Sequence, residues 1–143
     1  MKKLLLFLPI ILILSCNSEG DNSTIENNCY FTSEIILEED FNAINTSNYG
    51  IIEVELNGDC LEITFGSSGC GTDLWEENLY STDTFYNVFP LQRDVKMELI
   101  NDETCLAFFH KTVSFDLTPF QIDGQSDLPL NINGWNEQIT YGY

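Results

Sequence analysis

Apolar and polar residues alternate along residues 50–66, GIIEVELNGDCLEITFG, in the way that is typical of a half-buried β-hairpin. Asn57-Gly58 separates the two alternating halves and is a strong signal for a type I′ turn, because both central residues of that turn need a positive φ. A loop longer by one residue would set Val54 against Glu62 and scatter the apolar face, so a two-residue loop is favoured. The predicted cross-strand pairs are Leu56 with Asp59, Val54 with Leu61 and Ile52 with Ile63.

Two further alternating segments flank Asp102-Glu103, RDVKMELI at 93–100 and TCLAFFHKTVSFDL at 104–117. They predict a second hairpin. Its apolar face would bring together Val95, Met97, Leu99, Leu106 and Phe108. Near Lys111 the apolar positions change parity, which predicts a bulge or a strand that crosses between two sheets.

Short strands are also predicted at residues 31–37, 128–132 and 137–143, which brings the total to about seven, and the last two form a hairpin around an Asn133-Gly134 turn. No segment has a sustained helical period, although residues 73–80 could form one or two helical turns. Many short strands separated by Gly, Asn and Pro turns are typical of an antiparallel sandwich, in which two sheets pack over one core. The run KTVSFDLTPFQI, residues 111–122, resembles a late strand and loop of immunoglobulin-like domains. The predicted fold is therefore all-β, an immunoglobulin-like antiparallel two-sheet sandwich.

The first 16 residues combine a positive start, an apolar run and a cysteine. Lys2 and Lys3 precede an uncharged apolar run at residues 4–14. These 11 residues, at about 1.5 Å each, cannot cross a hydrocarbon core about 30 Å thick as a helix, so the run predicts an export signal. Residues 13–16, ILSC, resemble the lipobox of bacterial lipoproteins, which has an apolar residue, a small residue before the cut and then the cysteine. The resemblance implies cleavage before Cys16 and lipid on its thiol.

On this interpretation the chain divides into a signal peptide (1–15), the lipidated cysteine with a flexible polar linker (16–28) and a β-sandwich domain (29–143). Lipoproteins of Gram-negative bacteria are commonly retained in the inner membrane by an Asp after the cysteine, and here that residue is Asn17. The resemblance thus implies the outer membrane. Glu19 and Asp21 resemble a short acidic tag for surface display, but the stretch also fits a plain linker, so the periplasmic face and the cell surface both stay open.

The charge excludes one class of partner. The chain has 23 Asp and Glu and five Lys and Arg, and without Lys2 and Lys3 the net charge is 3 − 23 = −20. Such a chain repels phosphate backbones, so nucleic acid is excluded as a partner. Ten Phe, six Tyr and two Trp argue against disorder, which goes with few aromatic residues. The charge is then the solvated surface of a folded domain.

Four cysteines remain once Cys16 is assigned to lipid: Cys29, Cys60, Cys70 and Cys105. An even number in an exported protein predicts two disulfide bonds, with three possible pairings. We favour Cys60 with Cys70, which closes a local loop, and Cys29 with Cys105. A metal site at the cysteines is disfavoured, because the sequence has no CxxC pair and a single histidine.

Few residues suggest catalysis or metal binding. Glu53, Glu55 and Glu62 share the polar face of the first hairpin, where facing carboxylates are either solvated or bridged by a cation such as calcium. Solvation is favoured, because no DxDxDG loop is present. The single histidine, His110, lies in the middle of a strand, which favours a structural role. The sequence therefore predicts no cofactor and no enzyme, with calcium as the alternative.

Aromatic residues are concentrated in residues 73–90, DLWEENLYSTDTFYNVFP, among amides and carboxylates. Sugar-binding surfaces combine these groups, since rings stack on the apolar face of a sugar and polar groups bind its hydroxyls. The rings could equally plug one end of the sandwich. The candidate ligand-binding residues are Trp75, Asn78, Tyr80 and Tyr86.

The predicted function is a membrane-anchored, non-enzymatic binding or envelope-interaction module, whose candidate partners are a glycan or another envelope protein. The alternative is a carbohydrate-binding surface lipoprotein that uses residues 73–90. A carboxylate-based hydrolase is a third hypothesis, since acids are abundant and a pair of them can hydrolyse glycosides.

Overall fold

The computed structural model describes residues 29–85 and 88–143. Over these ranges the chain forms nine strands, one α-helix and one 3-10 helix (Thr118–Phe120). The bounds are β1 Phe31–Thr32, β2 Glu34–Ile36, α1 Glu38–Ala43, β3 Gly50–Asn57, β4 Cys60–Gly69, β5 Glu76–Thr82, β6 Arg93–Ile100, β7 Ala107–Asp116, β8 Asp127–Ile132 and β9 Ile139–Gly142. The signal peptide, Cys16, the linker and Tyr86 lie outside the described residues.

The strands form two sheets, one of four strands in the order β1-β7-β4-β3 and one of five in the order β2-β5-β6-β8-β9. The prediction of an all-β protein with two sheets is confirmed. The prediction of purely antiparallel sheets is wrong, because β1 with β7, β2 with β5 and β6 with β8 are parallel pairs. The count of about seven strands was too low, since β5 was not predicted as a strand and residues 31–36 form two strands.

The chain changes sheets at Ser33, between β1 and β2. Ser33 is buried, and both its backbone N–H and its hydroxyl donate to the carbonyl oxygen of Asp116, at 3.2 and 2.6 Å. The predicted bulge or crossing near Lys111 is wrong, because β7 pairs with β4 in unbroken register over ten residues. The parity change was predicted because Leu106 and Phe108 were placed on the core side of the strand. They are in fact 93% and 62% exposed.

The first hairpin forms with a register different from the predicted one. Asn57 pairs with Cys60, so the loop residues are Gly58 and Asp59. Gly58 has a φ of +59° and no described non-glycine residue has a positive φ, which is the pattern of a type II′ turn. Leu56 consequently faces Leu61 and Val54 faces Ile63. Since the shift is two residues, the apolar face is preserved from Val54 onward and the half-buried hairpin is confirmed, although the predicted pairs are wrong. A register shift between Ile51 and Glu53 leaves Ile52, predicted on that face, 47% exposed.

The predicted second hairpin does not form. Strand β6 pairs with β5 and β8, whereas β7 pairs with β1 and β4 in the other sheet. Residues 101–106 therefore connect the two sheets instead of turning between neighbouring strands. The last predicted hairpin is confirmed, because β8 and β9 are antiparallel and Gly134 in the turn has a φ of +86°.

The core lies between the two sheets and is built from alternate residues of their strands. Leu61, Ile63 and Phe65 from β4 meet Val95 and Met97 from β6, all fully buried. Burying one such side chain contributes about 1.5–3 kcal/mol. Because these alternate residues point into the core, the residues between them lie on the outer faces of the two sheets, toward solvent.

Two disulfide bonds are present, Cys29–Cys60 and Cys70–Cys105. The predicted number is confirmed and the favoured pairing is wrong. Cys60 begins β4 and Cys70 directly follows its last residue, so the strand holds them about 30 Å apart. Cysteines whose Cα atoms are more than about 7 Å apart cannot be bridged without backbone movement, so Cys60 and Cys70 cannot pair.

Within the described residues, no helix has both the length and the hydropathy that a membrane span requires.

Candidate functional site

Trp75 belongs to the core and not to a binding surface. It is only 4% exposed, and its ring lies 5.8 Å from that of Phe65. Its indole N–H donates to Oε2 of Glu103 at 3.1 Å, and the same oxygen accepts the backbone N–H of Cys70 at 2.9 Å. The prediction of Trp75 as a sugar platform is therefore wrong, because the ring closes the end of the sandwich where the chain passes between the sheets.

Replacing Trp75 by Phe is expected to lower the free energy of unfolding by about 1–2 kcal/mol, since the partly buried hydrogen bond to Glu103 is lost and the smaller ring fills less of the core. Urea denaturation followed by circular dichroism would measure the loss. Tyr80→Phe is the control on the same strand, and its expected change is close to zero. Unchanged stability of the Trp75 variant would contradict its place in the core.

Asn78 and Tyr80 lie on the outer face of the five-stranded sheet. They alternate along β5 with the buried Glu77, Leu79 and Ser81, so they point away from the core and from Trp75. Nδ2 of Asn78 donates to Glu98 at 3.4 Å. Burial, with Glu98 and Glu34 as weaker causes, raises the pKa of Tyr80. The structure thus separates these two residues from Trp75, and Tyr86 is not among the described residues.

The three glutamates of the hairpin do not form a metal site. Glu55 faces Glu62, while Glu53 faces Thr64, whose hydroxyl shares a hydrogen bond with that of Thr112. Residues 29–85 and 88–143 hold no group of three or more His, Cys, Asp or Glu side chains that could bind a metal ion. The calcium alternative at Glu53, Glu55 and Glu62 therefore lacks the ligand geometry it needs.

The outer face of the five-stranded sheet carries a cleft of about 410 Å³, which we call the α1 cleft. Helix α1 forms one wall, residues 133–138 form the other, and β6 and β8 supply the floor. Its volume falls within the range of about 300–1,000 Å³ typical of ligand sites. The lining residues are Phe41, Asn42, Asp94, Val95, Lys96, Asn131, Ile132, Asn133, Trp135, Asn136, Glu137 and Gln138.

Helix α1 is held on the sheet by Phe41 and Lys96. Phe41 is 5% exposed, and Nζ of Lys96 lies 4.6 Å from the centre of its ring. The same ammonium donates to the carbonyl oxygen of Phe41 at 2.9 Å, so a cation satisfies a carbonyl in the last turn of the helix. Acids fill the first turn, where the helix dipole favours negative charge. A helix of six residues is too short to be stable alone, so these contacts are what form this wall.

A network of amides fixes the floor of the α1 cleft. Nδ2 of Asn131 donates to Asp94 at 3.1 Å and to Oε1 of Gln92 at 3.4 Å. Gln138 donates from Nε2 to Oδ1 of Asn131 at 2.9 Å and to Gln92 at 3.3 Å. These contacts orient Asn131 and Gln138 before any ligand arrives, which lowers the ordering cost of binding.

Other polar groups of the cleft lack a partner. The side-chain amides of Asn42, Asn133 and Asn136 make no hydrogen bond with any residue in the described part of the chain. The indole N–H of Trp135 is buried and is also unpartnered within that part. The three amides are exposed, so they can exchange water for the polar groups of an outside molecule.

A weak signal for this site is present in the sequence. Residues 131–138, NINGWNEQ, combine four amides with a tryptophan around a glycine turn. Amides beside an aromatic ring are the combination that made residues 73–90 a candidate sugar-binding surface. In residues 131–138 the same combination predicts only a turn between two strands. Asn42 lies about 90 positions earlier, and nothing in the sequence pairs it with this turn.

A second buried polar feature lies between the sheets, away from the α1 cleft. Nζ of Lys111 on β7 donates to both carboxylate oxygens of Glu77 on β5, at 2.7 and 2.9 Å. The side chain of Glu77 is 1% exposed and that of Lys111 is 26% exposed. Burial raises the pKa of Glu77, and the hydrogen bond and charge of Lys111 oppose that rise. The pair joins the two sheets.

Comparison with known proteins identifies fold neighbours and no family. No protein-family model and no curated protein matches the chain. A DUF1344 protein of unknown function from Bacteroides vulgatus is similar, with a TM-score of 0.51 and 14% identity over 79% of this chain. A putative toxin-related protein from Parabacteroides distasonis has a TM-score of 0.50 and 17% identity over the same share. The chain spans 56% and 60% of the length of these two structures, and at such identities the likeness concerns the fold alone.

Proposed function

We propose that the chain is a non-enzymatic ligand-binding module, anchored by lipid to a bacterial outer membrane, and that the α1 cleft is its binding site. The observation that carries the binding role is the set of three unpartnered amides in a cleft whose floor is already ordered. A concave site with a few convergent polar groups is the usual form of a small-molecule site.

The anchor rests on the sequence around Cys16. Two acyl chains or more hold a protein stably at a membrane, whereas one gives only marginal binding. The linker at residues 17–28 has 12 residues and would reach at most about 40 Å when fully extended. Two disulfide bonds support export, because disulfides persist in oxidising compartments.

Replacing Cys16 by Ala is expected to abolish incorporation of an alkyne-tagged fatty acid and to move the protein from the membrane to the soluble fraction of expressing cells. The reason is that the thiol of Cys16 is the proposed attachment point, and the four cysteines in the described residues form disulfides. Ser15→Ala is the matched control, since a small residue before the cut is kept and labelling should persist. Full labelling of the Cys16 variant would refute the anchor.

The face of the outer membrane is decided by protease treatment of intact cells. A surface lipoprotein is digested together with a known surface marker, and a periplasmic one is protected until the cells are broken.

Catalysis is the competing function of the same cleft. Asp94 and Glu137 both line it, and paired carboxylates are the catalytic groups of glycoside hydrolases. If the protein cleaves an oligosaccharide and the Glu137→Gln variant does not, the cleft belongs to a hydrolase and the proposal of a non-enzymatic binding module is rejected.

A further inference from the structure

We infer that the α1 cleft binds an uncharged oligosaccharide. The inference rests on the proposed binding role of the cleft and names the class of its ligand. It follows from three properties of the lining: the type of its unpartnered groups, its charge and its aromatic side chains.

The unpartnered groups are amides on both walls. Asn42 extends from helix α1, and Asn133 and Asn136 extend from the opposite turn. Each amide offers donors and an acceptor on one group. A sugar hydroxyl has the same dual character, so amides on two walls can each donate to and accept from the hydroxyls of one ligand. A carboxylate or phosphate ligand offers acceptors alone and would leave the amide oxygens unsatisfied.

The charge of the site disfavours anions. Asp94 and Glu137 line the cleft, and the chain as a whole carries a net charge of −18. The one cation in the lining, Lys96, is already bound to the carbonyl oxygen and ring of Phe41. Its charge is therefore committed to holding the helix. A neutral ligand avoids the repulsion that an acidic glycan would meet.

Trp135 supplies the aromatic component. It packs partly against the core, lines the cleft, and keeps a buried indole N–H without a partner in the described residues. Because that nitrogen is buried, the contribution of Trp135 to binding is the apolar face of its ring, on which the C–H groups of a sugar can stack.

An adjoining cleft extends the site. It measures about 300 Å³ and shares Phe41, Asn42 and Asp94 with the α1 cleft, while Thr82 and Thr84 add hydroxyls. A ligand that continues past Asn42 therefore meets further polar groups. This favours an oligosaccharide over a single sugar, and binding should strengthen with chain length until both clefts are filled.

The test uses the full chain with its lipid, in a detergent that has no sugar head group. The probes are neutral gluco-, manno- and xylo-oligosaccharides of two to six units, printed beside uronic-acid and sulfated glycans. Binders are then titrated by calorimetry against Asn42→Ala, Asn136→Ala and the control Asn57→Ala. Asn57 is an exposed amide on the other sheet, so its loss should leave affinity unchanged.

We expect a neutral oligosaccharide to bind, and the two cleft variants each to weaken it about five- to tenfold, as expected for one lost hydrogen bond. Both replaced residues are exposed, so the fold should be unaffected. Binding of acidic glycans alone, or neutral binding that both cleft variants leave unchanged, would overturn the inference.

A parallel thermal-shift screen with amino acids, dipeptides and nucleosides distinguishes two negative outcomes. In one the cleft binds a different class of ligand, and in the other the cleft is not a binding site. A compound from that panel whose stabilising effect disappears in Asn42→Ala and Asn136→Ala would keep the cleft as a binding site and reject the oligosaccharide. No cleft-dependent binder in either panel would reject both proposals.

Discussion

Replacing Lys111 by Met is expected to lower the free energy of unfolding by about 3–5 kcal/mol at neutral pH, because it leaves a buried carboxylate without its partner. Glu77, the partner, has a side chain that is 1% exposed and receives two hydrogen bonds from the lysine. A charge taken out of water is costly unless it is paired, and here the pairing comes from the other sheet. Urea denaturation of wild type and variant would measure the difference.

The pH dependence of this loss has a defined sign. Burial raises the pKa of Glu77, and removing Lys111 removes the two effects that oppose the rise. The folded variant therefore binds a proton more tightly than the unfolded chain, so its stability increases as pH falls through the raised pKa toward the ordinary value of 4.5. The difference from wild type should accordingly be largest at neutral pH and smaller in acid.

A double variant, Glu77→Leu with Lys111→Met, is the matched control for the buried charge. It should recover most of the lost stability, because exchanging a whole buried pair for apolar residues is often neutral or favourable. If the free energy of unfolding of the single Lys111 variant lies within about 1 kcal/mol of the wild-type value at neutral pH, Glu77 is hydrated and does not depend on the lysine.

Removing the Cys70–Cys105 bond with two alanines is expected to cost about 4 kcal/mol, from the entropy that the unfolded chain regains over a loop of 35 residues. The folded state should change little. The carboxylate of Glu103 still accepts the backbone N–H groups of Cys70 and Gly71 and the indole N–H of Trp75, so the two connections stay joined. Denaturant unfolding would measure the loss, and its m-value should rise as the unfolded chain expands.

Cys29→Ala with Cys60→Ala is the comparison for that experiment, since its loop of 31 residues predicts nearly the same cost. If the two double variants lose equal free energy of unfolding, both losses come from the greater entropy of the unfolded chain. A Cys70 and Cys105 double variant that loses less than about 1 kcal/mol would contradict the loop-entropy account.

Patterns that depend on local sequence predicted part of this fold. The parity of apolar residues in the first hairpin identified its buried face, and that face survives a shift of two residues. The register itself depended on whether Gly58 occupies the first or the second loop position. Both placements use the glycine at a positive φ, and the sequence does not distinguish them.

Features that depend on long-range placement were not predictable in the same way. Strands β6 and β7 are neighbours in sequence and alternate well, yet they lie in different sheets, because residues 101–106 cross the sandwich. The cysteine pairing failed for the same reason, since Cys60 and Cys70 are close in sequence and lie at opposite ends of one strand. A six-residue helix is also too short to produce a recognisable period.

The candidate site was the least predictable part. Trp75 and Trp135 both lie in stretches rich in amides and acids, and composition does not say which ring is buried. The structure buries the first and places the second beside a cleft. Asn42 reaches that cleft only because Phe41 and Lys96 dock the helix there, which is a tertiary contact without a local signal.

The Cys29–Cys60 bond also determines how tension would pass through the protein. A pull on the chain that precedes Cys29 is transmitted across the sulfurs to the first residue of β4 and bypasses the two-residue strand β1. Strand β4 is flanked on both sides by antiparallel neighbours, β3 and β7. Tension along it acts as shear on two ladders at once, so many hydrogen bonds must break together. A chain pulled from the residues before Cys29 would thus resist mechanical unfolding, which suits the lipid anchor proposed above.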